Sequence, residues 1–171
     1  LLGKYHHVKE IIGMDNPYHY RNKVQAAFGR DRRGIISGVY QSSSHRIVPI
    51  DSCLIEDKKA DEIIVTVRKL MTSFKLEPFN DNTLRGFIRH VLVKRGFTSG
   101  EVMVVLVGVS NYFPIKKKFV AALLDKHPEI QIVLDIHRDA ITQDNGEKIK
   151  PVNTINGKKA AQLMIITGVE E

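Results

Sequence analysis

A β-hairpin is the feature that most constrains the fold of this chain. Residues 86–95 (GFIRHVLVKR) and 101–110 (EVMVVLVGVS) are both rich in β-branched residues, and the turn-forming segment GFTSG separates them. Two such segments joined by a short connection that contains glycine predict a pair of antiparallel strands. The sequence therefore predicts a sheet that contains this hairpin.

Three earlier segments predict further antiparallel strands, namely KVQAAFG (23–29), IISGVYQ (35–41) and HRIVPI (45–50), with polar turns between them. Within residues 57–74 the apolar positions recur at steps of three and four, which is the period of an amphipathic helix. A second helix is expected over residues 114–126, where a proline tolerated in a first turn is followed by one apolar face: Phe119, Val120, Leu123 and Leu124. The pattern indicates an α+β fold in which a mainly antiparallel sheet carries both helices on one face.

The composition is that of a soluble globular protein, with 43% hydrophobic and 26% charged residues. No apolar run approaches the roughly 18 residues needed to cross a bilayer, and the first residues, LLGKYHHVKEII, lack the pattern of a signal peptide. The single cysteine excludes an internal disulfide and fits a reducing compartment. We therefore expect a cytoplasmic protein without a membrane partner.

Positive charge is concentrated in the first three-quarters of the chain. The whole sequence has a formal net charge of +7. Residues 1–125 hold 20 Lys and Arg against 12 Asp and Glu, whereas residues 126–171 hold 6 against 7. Such an excess fits a phosphate-rich partner, although a solvated basic surface gives the same composition.

Two basic segments contain the residues best suited to contact a nucleic acid. In YHYRNK (18–23), Arg21 and Lys23 would share one face of a strand, beside two tyrosines and a histidine. Guanidinium groups and aromatic rings supply phosphate contacts and base stacking.

The second basic segment is RGFIRHVLVKR (85–95). If it is a regular strand, Arg89 shares a face with Val91, Val93 and Arg95, and His90 lies on the opposite face. An ordinary solvated sheet face would show the same alternation.

Several segments resemble the central region of the bacterial RNA uracil-5-methyltransferase family: PYHYRNKVQAAFG, GVYQSSSHRIVPIDSCLIED, LRGFIRHVLVKRGFTSGEVMVVLVG and NYFP. The resemblance covers about residues 10–125. This family uses S-adenosylmethionine to methylate carbon 5 of uridines in ribosomal or transfer RNA. Its central region precedes the Rossmann-like domain that binds the methyl donor and helps to hold the RNA. The resemblance therefore implies RNA as the partner, with these candidate RNA-binding residues: Tyr18, Tyr20, Arg21, Asn22, Lys23, Arg89, His90, Lys94 and Arg95.

The catalytic parts of the family are not found in this sequence. The resemblance would require a nucleophilic cysteine, a general-base carboxylate and a glycine-containing donor loop, so we expect this chain alone to be inactive. Many members also hold a 4Fe-4S cluster, and Cys53 in PIDSCLIED resembles the position of its fourth cysteine ligand. Such a cluster needs about four thiolates. Cys53 could therefore be a cluster ligand only together with cysteines from outside this sequence. Otherwise we expect it to be a partly buried free thiol.

The last part of the chain resembles a different family. IVLDIHRDA (132–140) and INGKKAAQ resemble the stage II sporulation protein P family, zinc-dependent cell-wall amidases and endopeptidases, over about residues 128–171. That resemblance would make His137 a zinc ligand or catalytic histidine. Hydrolytic zinc needs about three protein ligands, and the remaining histidines show no metal-type spacing apart from the adjacent His6 and His7. A purely structural His137 is the alternative.

The sequence thus predicts a methyltransferase central-domain-like region over residues 1–127 and a strand-loop-strand segment over residues 128–171. The apolar residues 130–136 are expected to add a strand to the sheet. The favoured function is that of an RNA-binding central segment of an S-adenosylmethionine-dependent RNA uracil-5-methyltransferase. The alternatives are a fragment of a zinc-dependent sporulation peptidoglycan amidase or endopeptidase, and an α+β domain without activity of its own.

Overall fold

A computed structural model of the chain describes residues 9–109 and 115–130, together with residues 4, 5, 7 and 113. Beyond residue 130 it describes the backbone of six short strands.

One antiparallel sheet and two helices form the described part up to residue 130. The elements are β1 (Lys23–Asp31), β2 (Gly34–Tyr40), β3 (Ile47–Pro49), α1 (Lys58–Ser73), β4 (Ile88–Arg95), β5 (Val102–Gly108) and α2 (Lys116–Lys126). The strand order is β3-β2-β1-β4-β5, and every neighbouring pair is antiparallel. Helix α1 packs against the central strands and α2 packs against α1. The predicted α+β fold, with its meander and its hairpin, is confirmed.

Helix α1 forms where the sequence predicts it because its start and its apolar face are both encoded locally. Asp57 is the N-cap, and its carboxylate accepts hydrogen bonds from the backbone N–H groups of Lys59 (2.9 Å) and Ala60 (3.2 Å). The apolar residues spaced by three and four along the helix are all buried: Ala60, Ile63, Ile64, Val67, Leu70 and Met71.

Replacing Asp57 by alanine is expected to lower the free energy of unfolding by about 1–2 kcal/mol, because two N–H groups lose their partner. Asp57→Asn keeps a side chain that can cap the helix but removes the charge that pairs with Arg95, so its loss should be smaller. Urea denaturation of both variants measures the difference. Equal losses for the alanine and asparagine variants would show that the cap is not the main contribution.

The core lies between the sheet and the helices. Val24, Ala26 and Phe28 of β1 alternate into it, and Phe119 of α2 is fully buried there. The Phe119 ring lies 5.8 Å from the ring of Phe74, measured between centroids, so α2 is joined to the end of α1 by aromatic packing. The core continues to Ile130, beyond the end of α2.

Strand β4 departs from regular alternation at its beginning. The register against β5 shifts between Ile88 and His90, and Ile88 is fully buried in the core. Such an irregularity adds a residue to one strand and turns the following side chains to new directions. The expected alternation from Arg89 to Arg95 is therefore interrupted at its first residue.

The six C-terminal strands pair with one another. They are β6 (Asp135–His137), β7 (Ile141–Thr142), β8 (Lys148–Ile149), β9 (Val152–Ile155), β10 (Lys158–Ala161) and β11 (Met164–Ile166). The prediction that residues 130–136 extend the main sheet is wrong for Asp135 and Ile136, because they belong to β6, which pairs with β11. Residues 131–134 lie outside the described residues.

Candidate nucleic-acid interface

The candidate site lies on the face of the sheet opposite the helices, which we name the open face. Since Val24, Ala26 and Phe28 point into the core, the alternate residues of β1 point to the other side, and the strand registers extend this pattern across the sheet. The open face comprises Lys23, Gln25 and Ala27 of β1, Gly38 and Tyr40 of β2, His90, Leu92 and Lys94 of β4, and Met103, Val105 and Val107 of β5.

A pair of lysines lies at one end of the open face. Lys23 and Lys94 are directly opposite each other on the adjacent strands β1 and β4, and both side chains are exposed. Like charges at directly opposite positions destabilise a sheet. Among the residues that the structure describes, neither ammonium group has an ion-pair partner. The pair is therefore a cationic site that an external anion would stabilise.

A shallow depression of about 270 Å³ lies further along the open face, where two neighbouring residues are small. Ala27 and Gly38 are opposite each other, and a side chain at position 38 would collide with the backbone carbonyl oxygen of Val48. Tyr40 and His90 stand beside them with ring centroids 6.0 Å apart and an interplanar angle of 75°. The depression thus combines a floor of small residues with an aromatic wall.

The surroundings of His90 lower its pKa and so favour the neutral imidazole. Partial burial is the largest cause that lowers the pKa of its imidazole, and the positive charge of the neighbouring Arg89 lowers it further. A neutral ring on a half-buried surface is suited to stacking rather than to an ion pair with phosphate.

Three of the predicted RNA-binding residues have partners within the chain. The guanidinium group of Arg95 contacts the Asp57 carboxylate at 3.1 Å, and Asn22 donates a side-chain hydrogen bond to the Arg95 carbonyl oxygen at 3.2 Å. Arg89 pairs with Asp81 and lies 4.6 Å from the centroid of the Phe79 ring. These side chains connect β4 to Asn22 before β1, to the start of α1 and to the segment between α1 and β4.

The segment that precedes β1 is attached to the chain that follows Cys53. The backbone N–H groups of His19 and Arg21 donate to the carbonyl oxygens of Leu54 and Ile55, both at 2.8 Å. Tyr18 and Tyr20 remain about half exposed. The structure therefore brings Lys23, Lys94 and His90 together on the open face, and places Tyr18, Tyr20 and Arg21 on a separate strap before β1.

Cys53 immediately precedes Leu54, whose carbonyl oxygen accepts a hydrogen bond from the strap, and it is partly buried. Its backbone N–H donates to the Asp61 carboxylate at 2.9 Å. It is the one cysteine of the whole sequence, so the chain supplies one of the roughly four thiolates that a 4Fe-4S cluster requires. The residues present do not by themselves fit such a cluster.

Glu56 is a buried acid next to the strap. Burial is the largest cause that raises its carboxyl pKa, followed by the charge of Asp61 and the hydrogen bond with it, while Arg21 opposes the shift. Because the folded state holds the proton more tightly than the unfolded state, the stabilisation from Glu56 is present at acid pH. It is lost as the pH rises through the raised pKa.

Glu56→Gln is therefore expected to increase the stability of the protein at pH 7 relative to the parent, and to give little gain at pH 4. Urea denaturation across this pH range measures the difference, with the same change at the exposed Glu62 as the control. A gain that does not grow with pH would contradict a buried, proton-retaining Glu56.

His137 is the last residue of β6, where its backbone is opposite Met164 of β11. Its side chain lies outside the described residues. No group of three or more potential metal ligands occurs in the part of the chain that the structure describes.

Of the six residues that line the depression, His90 alone was a predicted site residue, and the polar groups of Tyr40 and Gln25 were missed. The alternation of Gly38 and Tyr40 was visible in the segment IISGVYQ. Whether this alternation forms a depression depends on the register of β1 against β2, which places Ala27 opposite Gly38. That register is a long-range property of the sheet.

Comparison with known proteins shows which proteins this chain resembles. An RNA methyltransferase of Clostridium tetani is 33% identical over 156 residues, a match that covers 91% of this chain and 32% of that protein. One of Oceanobacillus iheyensis is 32% identical over 157 residues, again with 91% and 32% coverage. Most of this chain is therefore related to the RNA methyltransferases. It spans about a third of the length of these methyltransferase relatives.

A solved methyltransferase has a similar fold. The structure of the Pyrococcus abyssi tRNA (uracil-54, C5)-methyltransferase, in complex with S-adenosyl-L-homocysteine, matches with a TM-score of 0.50 and 24% identity. The match covers 61% of this chain and 26% of that protein. The likeness supports the arrangement of sheet and helices.

The family model of stage II sporulation protein P matches residues 112–171. The methyltransferase matches that cover 91% of the chain also extend past residue 127, so the two kinds of similarity overlap. Helix α2 lies within the sporulation match, yet its residues Phe119 and Leu123 belong to the core of the sheet region. Of the helices that the structure describes, neither is suited to span a membrane.

Proposed function

We propose that this chain is an RNA-binding segment of an S-adenosylmethionine-dependent RNA uracil-5-methyltransferase that acts on ribosomal or transfer RNA. The observation that carries the proposal is the Lys23–Lys94 pair, two exposed like charges in register on the same face of the sheet as the partly exposed aromatic pair Tyr40 and His90. Phosphates neutralise such cations, and aromatic rings stack on unpaired bases.

Sequence similarity supports the same proposal. The relatives that match over nine-tenths of this chain are named RNA methyltransferases, and the structural neighbour acts on a uracil of tRNA. Methyl transfer in the proposed enzyme would be carried out by the part of the relatives that this chain does not span. The described residues would bind and orient the RNA. A cytoplasmic location fits the single free cysteine.

RNA binding can be tested with the 171-residue chain. We expect it to bind a fluorescent single-stranded RNA with an affinity that falls as salt rises. The slope of log affinity against log salt should be about −1.4 or steeper if both lysines contact phosphates, since each contact to a single strand contributes about −0.7. No binding at low salt, or affinity independent of salt, would contradict the proposal.

A second candidate function rests on the match of residues 112–171 to stage II sporulation protein P. We infer that, in this alternative, His137 would be one ligand of a hydrolytic zinc ion that needs further ligands. Elemental analysis of the purified chain after exposure to zinc tests it. The methyltransferase proposal expects no stoichiometric zinc, whereas about one zinc per chain, lost in His137→Ala, would favour the hydrolase.

A further inference from the structure

The depression on the open face is suited to a ligand more specific than a phosphate. It is lined by Gln25, Ala27, Gly38, Val39, Tyr40 and His90. Its volume of about 270 Å³ is just below the range of pockets that hold drug-sized ligands, so it has room for one small planar group.

The chemistry of the lining residues matches an unpaired nucleobase. Tyr40 is 42% exposed although its ring contacts both His45 and His90, so part of an ordered aromatic surface faces solvent. Gln25 is exposed at the rim, and its amide group both donates and accepts hydrogen bonds, as the edge of a base does. Small residues beneath the rings allow a flat ligand to approach the sheet.

The distance between the lysine pair and the depression indicates what kind of molecule contains this base. Lys94 lies four residues from His90 along β4, which corresponds to roughly 13 Å at 3.3 Å per residue. A single nucleotide would not reach both sites, whereas neighbouring nucleotides of one strand would. A second copy of this chain is disfavoured as the occupant, because it would bring the same unpaired cations.

We propose that the depression bounded by Tyr40, His90 and Gln25 is a subsite for one unpaired base of a single-stranded RNA, while Lys23 and Lys94 hold phosphates of an adjacent nucleotide. This inference rests on the proposed RNA-binding function and adds a base-dependent contribution to it. Stacking is tolerant of base identity, so the subsite distinguishes unpaired from paired RNA rather than one base from another.

The test compares two RNA probes on the parent chain and three variants. One probe is an octamer of uridines, and the other is the same backbone with abasic sugars at all eight positions, so that no shift of register can restore a base. The variants are Tyr40→Ala, Tyr40→Phe, which keeps the ring, and Phe97→Ala, which removes a ring that is 90% exposed in the β4–β5 turn. Thermal unfolding shows whether each variant remains folded.

The parent should bind the uridine octamer roughly 5- to 150-fold more tightly than the abasic octamer, the range expected for one stacked base. Tyr40→Ala should lose most of this ratio, while Tyr40→Phe and Phe97→Ala should keep it. If the parent binds both probes equally, or if Tyr40→Ala keeps the full ratio, the subsite is overturned. Loss of the ratio in Tyr40→Phe as well would overturn stacking as its cause.

These outcomes are separable from failure of the proposed function. RNA affinity that still depends on Lys23 and Lys94 would leave the RNA-binding role in place even without a base subsite. Sedimentation of the parent and of Tyr40→Ala tests the other occupant. Dimers that disappear in Tyr40→Ala, with unchanged RNA affinity, would assign the depression to a second copy and overturn the proposal.

Discussion

Replacing Lys23 and Lys94 together by alanine is expected to lower the affinity for single-stranded RNA about 25-fold at 0.1 M salt. Each phosphate contact with a single strand contributes about 0.7 to the slope of log affinity against log salt, which amounts to ~5-fold per contact at this concentration. The slope should therefore fall by about 1.4 in the double variant. Because the two like charges are opposite each other, their removal should not destabilise the sheet.

The matched control is the double variant Lys58→Ala and Lys69→Ala. Both lysines are exposed on α1, the helix that packs on the other side of the sheet, so the net charge changes equally but away from the open face. We expect this control to retain most of the affinity and the slope. Equal losses in the two double variants would mean that RNA responds to net charge and not to the open face.

Phe119→Ala is expected to lower the free energy of unfolding by about 3–5 kcal/mol, the usual effect of removing a fully buried phenylalanine. Its ring packs between those of Phe74 and Phe113, at centroid distances of 5.8 and 5.7 Å, so no neighbour can easily fill the cavity. Urea denaturation monitored by circular dichroism measures the loss. Phe97→Ala, at an exposed position, should change stability by less than about 0.5 kcal/mol.

Phe119→Ala also tests whether α2 belongs to the core of the region that resembles the methyltransferases. Helix α2 lies within the residues that match stage II sporulation protein P, but Phe119 packs in the core of the region that resembles the methyltransferases. The His127 ring, in contact with Thr66 of α1 at 2.9 Å, adds a polar connection between the same helices. A loss below about 1 kcal/mol in Phe119→Ala would mean that α2 does not belong to this core.

Local patterns were sufficient to predict most of the fold. The hairpin β4–β5 and helix α1 were predicted to within a few residues, because each carries its own periodicity and its own turn or cap. The predicted strand over residues 130–136 was assigned to the wrong sheet at Asp135 and Ile136, which pair with β11. An apolar run indicates that a strand is buried, but it does not indicate which partner covers it.

The candidate site was predictable only in part. Lys23 and Lys94 followed from the basic segments, but their pairing across β1 and β4 depends on register. Arg95 looked equally available in the sequence, yet it contacts Asp57, which is 38 residues away along the chain. Such long-range ion pairs leave no local signal. The proposed division of the chain near residue 127, and the role of His137, remain predictions.

The most direct test of RNA binding on the open face is a nuclear magnetic resonance titration of the methyl-labelled chain with a uridine octamer. We expect the methyl signals of Met103, Val105 and Val107, which are exposed beside His90 and Lys94, to shift on addition of RNA. The signals of Ile63 and Val67, buried between α1 and the sheet, should stay in place. Shifts restricted to the helical side, or none on the open face at saturating RNA, would contradict the proposed interface.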